Sequence, residues 1–319
     1  MTVKELIARS KAAQAEFAFA TQEQADAAAK AICKVVYDNA EKLGPMAAEE
    51  SRMGSEQDKI AKCRNKSALI WESLKGKKSC DIINRIEERR MIEVAKPVGV
   101  VASIIPSTNP VVTPMSNGAF ALKCRNSVIF APHPRAVKCT KLLVEMFRAE
   151  LKKLGLPEDL VLGLEEVSND LTSELMSAAD MVVATGGMGM VKAAYSSGKP
   201  AIGVGQGNVQ CIIDEDADIA DAVGKIIIGR AFDNGLICLG EQTVFVPEDK
   251  EAEFVAEMKK QGGYLVEGEE NVDKLREGLF PGGGAFSRVV VGMFADQVSD
   301  EIGLGAPKGT RVLFAKAKA

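Results

Sequence analysis

The segment Phe232-Asp233-Asn234-Gly235-Leu236-Ile237-Cys238-Leu239-Gly240-Glu241-Gln242-Thr243-Val244-Phe245-Val246 sets a single thiol between a turn signal and a strand-like run. Asn234-Gly235 reads as a turn, a short apolar stretch carries Cys238, and a glycine precedes a β-branched, aromatic run. Such a layout presents the sulfur from a bend and leaves neighbouring backbone N–H groups as donors, which is what covalent catalysis by a thiolate needs. Cys238 is therefore the candidate nucleophile. The local pattern alone is equally compatible with a buried structural thiol, because unpaired cysteine commonly packs as a small hydrophobe.

Composition narrows the chemistry. The 319 residues include one histidine, His133, so a Cys/His dyad, a Ser/His/Asp triad or a histidine-based metal site must use it or be absent. The seven cysteines are odd in number, scattered and without C-x-x-C spacing. That pattern argues against a disulfide framework and a zinc site and for reduced thiols; no metal is expected. A 46% apolar share and a formal charge of −4 fit a soluble globular chain long enough for two domains. The densest basic clusters, Lys75-Gly76-Lys77-Lys78 and Glu87-Glu88-Arg89-Arg90, are short and diluted by acids or glycine, so no nucleic-acid partner is expected. No apolar run reaches membrane-spanning length and no signal-peptide core is present, which places the expected location in the cytoplasm.

The elements that must position the thiol follow from periodicity. Helices are expected at Val3 to Phe19, at Thr21 to Leu43 with a Thr21/Gln24 capping box and a stop at Gly44-Pro45, at Ala47 to Met53 and at Glu56 to Trp71. Residues Asp81 to Val94 read as a hairpin with a charged tip, which as an isolated pair of strands would seek another surface. From Val98 to Val209 strands alternate with helices. The strands are expected at Val100 to Ile105, Ser127 to Ala131, Leu160 to Leu162, Met181 to Ala184 and Ala201 to Val204. This is the signature of an α/β fold with a Rossmann-type parallel sheet covered on both faces, whose ligands lie beyond the carboxyl ends of the strands. After Asn208 a second α/β unit begins. It has strands at Val209 to Ile213 and Gln242 to Val246, helices at Asp218 to Arg230 and Glu251 to Gln261, weaker strand-like pieces near Tyr264 and Val289, and a flexible loop at Pro281 to Gly284.

Three loops at strand ends carry candidate ligands. Ile105-Pro106-Ser107-Thr108-Asn109-Pro110 follows the first strand of the sheet, and Ala131-Pro132-His133-Pro134-Arg135 follows the second. Thr185-Gly186-Gly187-Met188-Gly189 opens a helix, where a phosphate can approach backbone N–H groups and the helix dipole favours an anion. Neither that loop nor Gly203-Val204-Gly205-Gln206-Gly207 is a G-x-G-x-x-G fingerprint, and these glycines could serve only tight turns. Likewise Asn109 could be a plain turn former, and His133 a loop residue without a ligand.

Asn234-Gly235-Leu236-Ile237-Cys238 followed by Glu241-Gln242 resembles the nucleophile segment of the CoA-acylating aldehyde dehydrogenases. The Asn109, His133 and Thr185 loops and the run to Gly205 resemble further segments of that family in the same order. The resemblance implies an aldehyde dehydrogenase-like fold, with residues 1–80 and 97–208 as the NAD(P)-binding domain, 81–96 as an oligomerisation hairpin and 209–319 as a partial catalytic domain. It implies that Cys238 forms the thioester and that Asn109 directs its amide at the substrate carbonyl oxygen. Pro106, Ser107, Thr108, Pro132, His133, Pro134, Thr185, Gly186, Gly187, Gly203, Val204 and Gly205 would line NAD or NADP.

Hydrolytic members of the family keep a glutamate in a Glu-Leu-Gly-Gly motif to activate water. The matching residues here are Gly203-Val204-Gly205-Gln206, so the base is missing, and coenzyme A, itself a good nucleophile, is the expected acyl acceptor. The implied reaction is the reversible conversion of a short aldehyde, CoA and NAD(P)+ to acyl-CoA and NAD(P)H by a homodimer or higher oligomer. Residues Pro106 to Met115 lean towards succinate semialdehyde over acetaldehyde. The chain stops at Lys316-Ala317-Lys318-Ala319, where family members continue for well over a hundred residues, and so reads as C-terminally truncated. Two other readings stay open: an acyl-phosphate-linked semialdehyde reductase, and a catalytically silent nucleotide-binding fragment.

Overall fold

The computed structural model describes residues 1–317, so the last two residues of the 209–319 segment lie outside the described residues. Backbone contacts divide the described residues into two compact units, Met1–Ser51 with Lys59–Gln206, and Arg52–Asp58 with the residues from Gly207 onward.

The first unit opens with α1 (Val3–Phe17), α2 (Gln22–Asp38), α3 (Ala40–Ser51) and α4 (Glu56–Leu74), the first turn of α4 belonging to the other unit. The Thr21/Gln24 capping box forms as the spacing requires, with Thr21 Oγ1 accepting from the Gln24 N–H at 3.3 Å and Gln24 Oε1 from the Thr21 N–H at 2.9 Å. One expectation is corrected: α2 ends at its cap Asn39 (φ −107°, ψ 19°) and not at Leu43, and Gly44-Pro45 lies inside α3. Gly44 serves close packing there. A Cβ on it would stand 2.6 Å from Ile60 Cγ1, so the α3 backbone meets α4 only where a side chain is lacking.

Next come β1 (Asp81–Ile86) and β2 (Met91–Ala95), an antiparallel hairpin turning through left-handed Arg90. The sheet of the unit is built from β3 (Val100–Ile104), α5 (Val112–Lys123), β4 (Ser127–Ala131), α6 (Val137–Lys153), β5 (Val161–Gly163), α7 (Asn169–Ala178), β6 (Met181–Thr185), α8 (Met188–Tyr195) and β7 (Ala201–Val204). Its order is β5-β4-β3-β6-β7 and every pairing is parallel. Alternate residues of β3, β4, β5 and β6 feed opposite cores. Val101, Val128, Phe130 and Val161 pack with residues of α2, α5 and α6, whereas Val100, Ala102, Ile129 and Val182 pack with residues of α1 and α7. Because β4 and β6 flank β3 on opposite sides, the chain reverses its direction of winding at β3. The loops after β3 and β6 therefore leave the sheet side by side, with Ile104 paired to Ala184.

The second unit contains β8 (Gln210–Ile212), α9 (Ile219–Ala231), β9 (Thr243–Phe245), α10 (Glu251–Lys260), β10 (Gly263–Leu265), α11 (Glu269–Leu279), α12 (Ala295–Ile302) and β11 (Val312–Phe314). Parallel pairs β8–β9 and β10–β11 enclose a core of Ile213, Ile219, Val223, Ile227, Phe254, Met258 and Val312. Residues near Val289 form turns and not a strand, and α11, α12 and β11 were not foreseen. Helix α11 buries no residue fully.

Two boundaries differ from the sequence reading. The units part between Gln206 and Gly207, and Arg52–Asp58 belongs with the second unit although it precedes the hairpin. Hydrogen bonding holds it there: the Ser55 N–H donates to Asp233 Oδ1 at 3.1 Å, and the Asp233 N–H donates to Asp58 Oδ2 at 3.0 Å.

Candidate active site

In the second unit Cys238 lies on a turn between α9 and β9 and is exposed, with exposed Leu239 beside it. The turn is built on three consecutive left-handed residues, Asp233 (φ 49°), Asn234 (φ 53°) and Gly235 (φ 73°). Only the glycine takes that conformation without steric cost; each of the other two sacrifices about 1 kcal/mol. The surrounding structure over-determines the shape. Asp233 is completely buried and bonded to Ser55 and Asp58, Asn234 Nδ2 donates to the Gly292 carbonyl at 2.9 Å, and the Leu236 N–H closes onto the Asp233 carbonyl at 3.0 Å. Backbone strain held this firmly is a property of sites that must present one group in one place.

Four of the other thiols are held above the ordinary thiol range. Burial pushes Cys33 up to about 12 and also raises Cys139, whose thiol faces Glu50. Cys211 is raised by desolvation and then by the Glu241 carboxylate. Cys124 is a surface residue with a desolvated sulfur, raised by that and by Cys80, and it caps the end of α5 ahead of β4, away from the carboxyl ends of the strands. Glu241 packs onto α9, where a Cβ at Gly229 would collide with its Oε2. Among the described residues that Oε2 and Arg230 Nη1 are buried without hydrogen-bond partners, and desolvation lowers the Arg230 guanidinium pKa against the opposing pull of Glu241.

In the first unit the three sequence-selected loops converge at the carboxyl ends of β3, β4 and β6. Pro106 is buried, and Ser107, Thr108 and Asn109 are half-buried in the loop entering α5. The Asn109 Oδ1 accepts from Lys62 Nζ at 2.9 Å, and its Nδ2 donates to Thr108 Oγ1 at 3.3 Å. Pro132 is buried, whereas His133 and Pro134 are exposed. The His133 N–H donates to the Ile105 carbonyl at 3.1 Å, tying the β4 loop to the β3 loop, and its Nδ1 accepts from the Arg135 N–H at 3.0 Å.

Two helix N-termini are near enough to this edge to attract an anion, and they differ. At α6 the Lys138 and Cys139 N–H groups already donate to the Glu50 carboxylate at 2.6 and 2.8 Å. At α8 the approach is open. The Gly186 N–H is used by the Val204 carbonyl (3.0 Å), but a Cβ at Gly187 or Gly189 would meet nothing within 4 Å. Gly187 has an ordinary φ of −67°, so neither conformation nor packing demands a glycine there. Its lack of a side chain leaves open room against the first turn of α8.

Gly203 is the opposite case. A Cβ on it would lie 2.8 Å from both Tyr195 Cε2 and Val191 Cγ1, and its N–H donates to the Tyr195 hydroxyl at 3.1 Å. Gly205 is similar, with Met188 Sδ at 2.9 Å from its notional Cβ. Strand β7 thus lies close against α8 at position 203, where any side chain would have to displace Val191 or Tyr195.

Three contributors escaped the sequence reading: Lys59 and Lys62, assigned to a packing helix, and Asp233, assigned to a turn. The signal for the lysines was present, since Lys59, Lys62, Cys63 and Ser67 share the buried stripe of α4 and lysine is almost never buried without a polar task.

Comparison with known proteins matches residues 1–274 to the aldehyde dehydrogenase family. The succinate-semialdehyde dehydrogenase (acetylating) of Clostridium kluyveri is 47% identical over 318 residues, covering 100% of this chain and 70% of that protein. An acetylating aldehyde dehydrogenase from Geobacillus thermoglucosidasius superposes with a TM-score of 0.93 at 37% identity, over 99% of this chain and 70% of that one. The Rhodopseudomonas palustris propionaldehyde dehydrogenase with bound propionyl-CoA gives 0.86 at 30% identity, over 99% and 70%. With its parallel sheet, its turn-borne cysteine and these relatives, the chain belongs to the aldehyde dehydrogenase family.

Proposed function

We propose that the chain carries out the CoA-acylating reaction, converting an aldehyde, CoA and an oxidised nicotinamide dinucleotide to acyl-CoA and the reduced dinucleotide, reversibly. The observation that carries this reading is Gly203. Glycine offers no carboxylate to recruit water to a thioester, and the strand bearing it lies so close to Val191 and Tyr195 that a side chain there would have to displace them. A thiol acceptor needs no such base, because exchange of one thioester for another is nearly balanced in energy. The relatives named above include acetylating enzymes and one with propionyl-CoA bound, which supports the same acceptor here.

In the mechanism the Cys238 thiolate attacks the aldehyde carbon and gives a hemithioacetal whose oxygen bears the charge. The Cys238 N–H and the Asn109 amide are the donors to that oxygen, an interaction of a kind worth about 3 kcal/mol per donor. When bound, NAD or NADP supplies the hydride acceptor. Thr185, Gly186, Gly187 and the first turn of α8 would hold its pyrophosphate, where the open glycine positions fit such a group; the Pro106-to-Thr108 and Pro132-to-Pro134 loops and residues 203–205 would border the remainder. The oxidised acyl group then remains as a thioester on Cys238 until the CoA thiolate displaces the cysteine sulfur.

The substrate class is a short aldehyde, with succinate semialdehyde favoured by the Clostridium kluyveri relative. Residues Met1–Ser51 and Lys59–Gln206, apart from the 81–96 hairpin, act as the cofactor domain, and Arg52–Asp58 with the residues from Gly207 onward as the catalytic one. The hairpin is the proposed oligomer contact; Ile83, Met91, Ile92 and Val94 are all exposed on it. Among the described residues no helix is long and apolar enough to cross a membrane, and a cytoplasmic location is proposed. One spectrophotometric assay following the reduced dinucleotide, run with aldehyde and CoA, with phosphate, or with neither, tests the reading. Turnover only with CoA is expected; phosphate-dependent turnover would favour the acyl-phosphate reaction instead.

A further inference from the structure

Helix α4 carries two lysines that are nearly inaccessible, Lys59 at 3% and Lys62 at 4% exposure. Burying an ammonium forfeits its hydration, so it is tolerated only where polar partners replace the lost water. Both groups reach the same loop. Lys59 Nζ donates to the Thr108 carbonyl at 3.4 Å, and Lys62 Nζ donates to Asn109 Oδ1 at 2.9 Å.

The second contact fixes more than a position. An ammonium has three donors and no acceptor, so the Asn109 amide atom facing it must be the oxygen; the flipped amide would set NH2 against NH3+. Because the amide is planar, its NH2 group is then held on the opposite edge. There one hydrogen meets Thr108 Oγ1 at 3.3 Å and the other remains for a ligand.

We propose that Lys62 is a positioning residue for the acyl-transfer site: its ammonium locks the Asn109 amide with Nδ2 outward and polarises the carbonyl so that Nδ2–H becomes a stronger donor. The inference rests on the reading of Asn109 as a donor to the substrate carbonyl oxygen. A cation bonded to the amide oxygen draws electron density from nitrogen and reinforces the hydrogen bond on the far side, as chained hydrogen bonds do. The benefit grows as charge builds on the substrate oxygen, so it appears in the transition state more than in substrate binding. Lys59, by gripping the Thr108 carbonyl, keeps the Thr108 hydroxyl in reach of the same amide.

The test is a double-mutant cycle on Lys62→Met and Asn109→Ala, with Lys62→Arg and Lys62→Gln as variants that retain a donor. Lys62→Met should lower kcat about 10- to 100-fold with KM nearly unchanged. In the Asn109→Ala background the same change should cost almost nothing further, and Lys62→Arg or Lys62→Gln should recover part of the loss. A purely structural lysine would instead lower activity equally in both backgrounds.

A second readout needs no turnover. The Asn109 side-chain NH2 signals in a 15N-correlated NMR spectrum, identified by their loss in Asn109→Ala, should move in Lys62→Met or, if that variant does not fold, in Lys62→Gln. Equal losses in both backgrounds, or unmoved NH2 signals, would overturn the proposal. If the unaltered chain shows no CoA-dependent turnover, the acyl-transfer reading fails, while the NMR result still decides whether Lys62 holds Asn109.

Discussion

Replacing Gly203 tests the reason given for acyl transfer over hydrolysis. Its φ is not positive, so alanine there introduces no backbone strain, and by restricting the unfolded chain it should gain about 0.4–1 kcal/mol. Against that stands packing. The new Cβ would sit 2.8 Å from Val191 Cγ1 and from Tyr195 Cε2, whereas carbon atoms pack best at about 3.5–4.0 Å. Val191 is buried on α8 and stiff at χ1, so the backbone of β7 or α8 must yield, at the roughly 1–3 kcal/mol typical of overpacking. The net expectation for Gly203→Ala is a loss of about 1–2 kcal/mol. The chain has one tryptophan, Trp71, and it lies in the first unit, so its fluorescence during urea unfolding reports on that unit. Removing the exposed Tyr195 ring should relieve part of the loss, making Gly203→Ala cheaper in a Tyr195→Ala background. Gly203→Glu should be more destabilising still and should not release free acid from the thioester in the absence of CoA. A stabilised Gly203→Ala variant, or a Gly203→Glu variant that hydrolyses as fast as the unaltered chain transfers to CoA, would refute the packing argument.

Cys238 should be the first of the seven cysteines alkylated by iodoacetamide, as mapped by peptide mass spectrometry, and Cys238→Ala should abolish acyl-CoA-dependent oxidation of the reduced dinucleotide. Asp233→Ala removes the acceptor for the Ser55 N–H from a fully buried site and should cost about 2–3 kcal/mol in denaturant titrations, while Asp233→Asn, which keeps an acceptor and tolerates φ above zero, should retain most of the stability. Alkylation of Cys238 should also change rate in Asp233→Ala, because the turn that presents it is no longer held. Asp159 is held below the usual carboxylate range, first by its hydrogen bond from Arg9 at 2.7 Å and then by Arg148. The unfolded chain therefore binds the proton more readily, so the stabilisation is complete above the unfolded value of about 3.9 and disappears as pH falls through the lower folded value. Trp71-monitored unfolding should show Asp159→Asn weaker than the unaltered chain by about 1 kcal/mol at pH 7, with the gap closing below about pH 4.

Much of this was written in the sequence. The strands Ser127–Ala131 and Ala201–Val204 and the Thr21 cap follow from β-branched runs, turn residues and a three-residue spacing, all of them local. The alternation of strands and helices, the Cys238 segment and the Asn109, His133 and Thr185 loops could likewise be read directly, and the last two led to the family. Tertiary structure alone decided which groups stand together. Gly44-Pro45 looks like a helix stop, yet α3 runs through it, and Gly44 instead lets α4 come close at Ile60. Nothing local separates Gly187, which leaves open room, from Gly203, which is filled by Val191 and Tyr195. Lys62 and Asn109 are 47 residues apart, and their contact exists only once α4 packs on the β3 loop. Sequence patterns record what a residue does to its own few neighbours through backbone preference and periodic burial; the orientation of an amide, the burial of an ammonium and the space around a glycine depend on atoms brought from elsewhere in the chain.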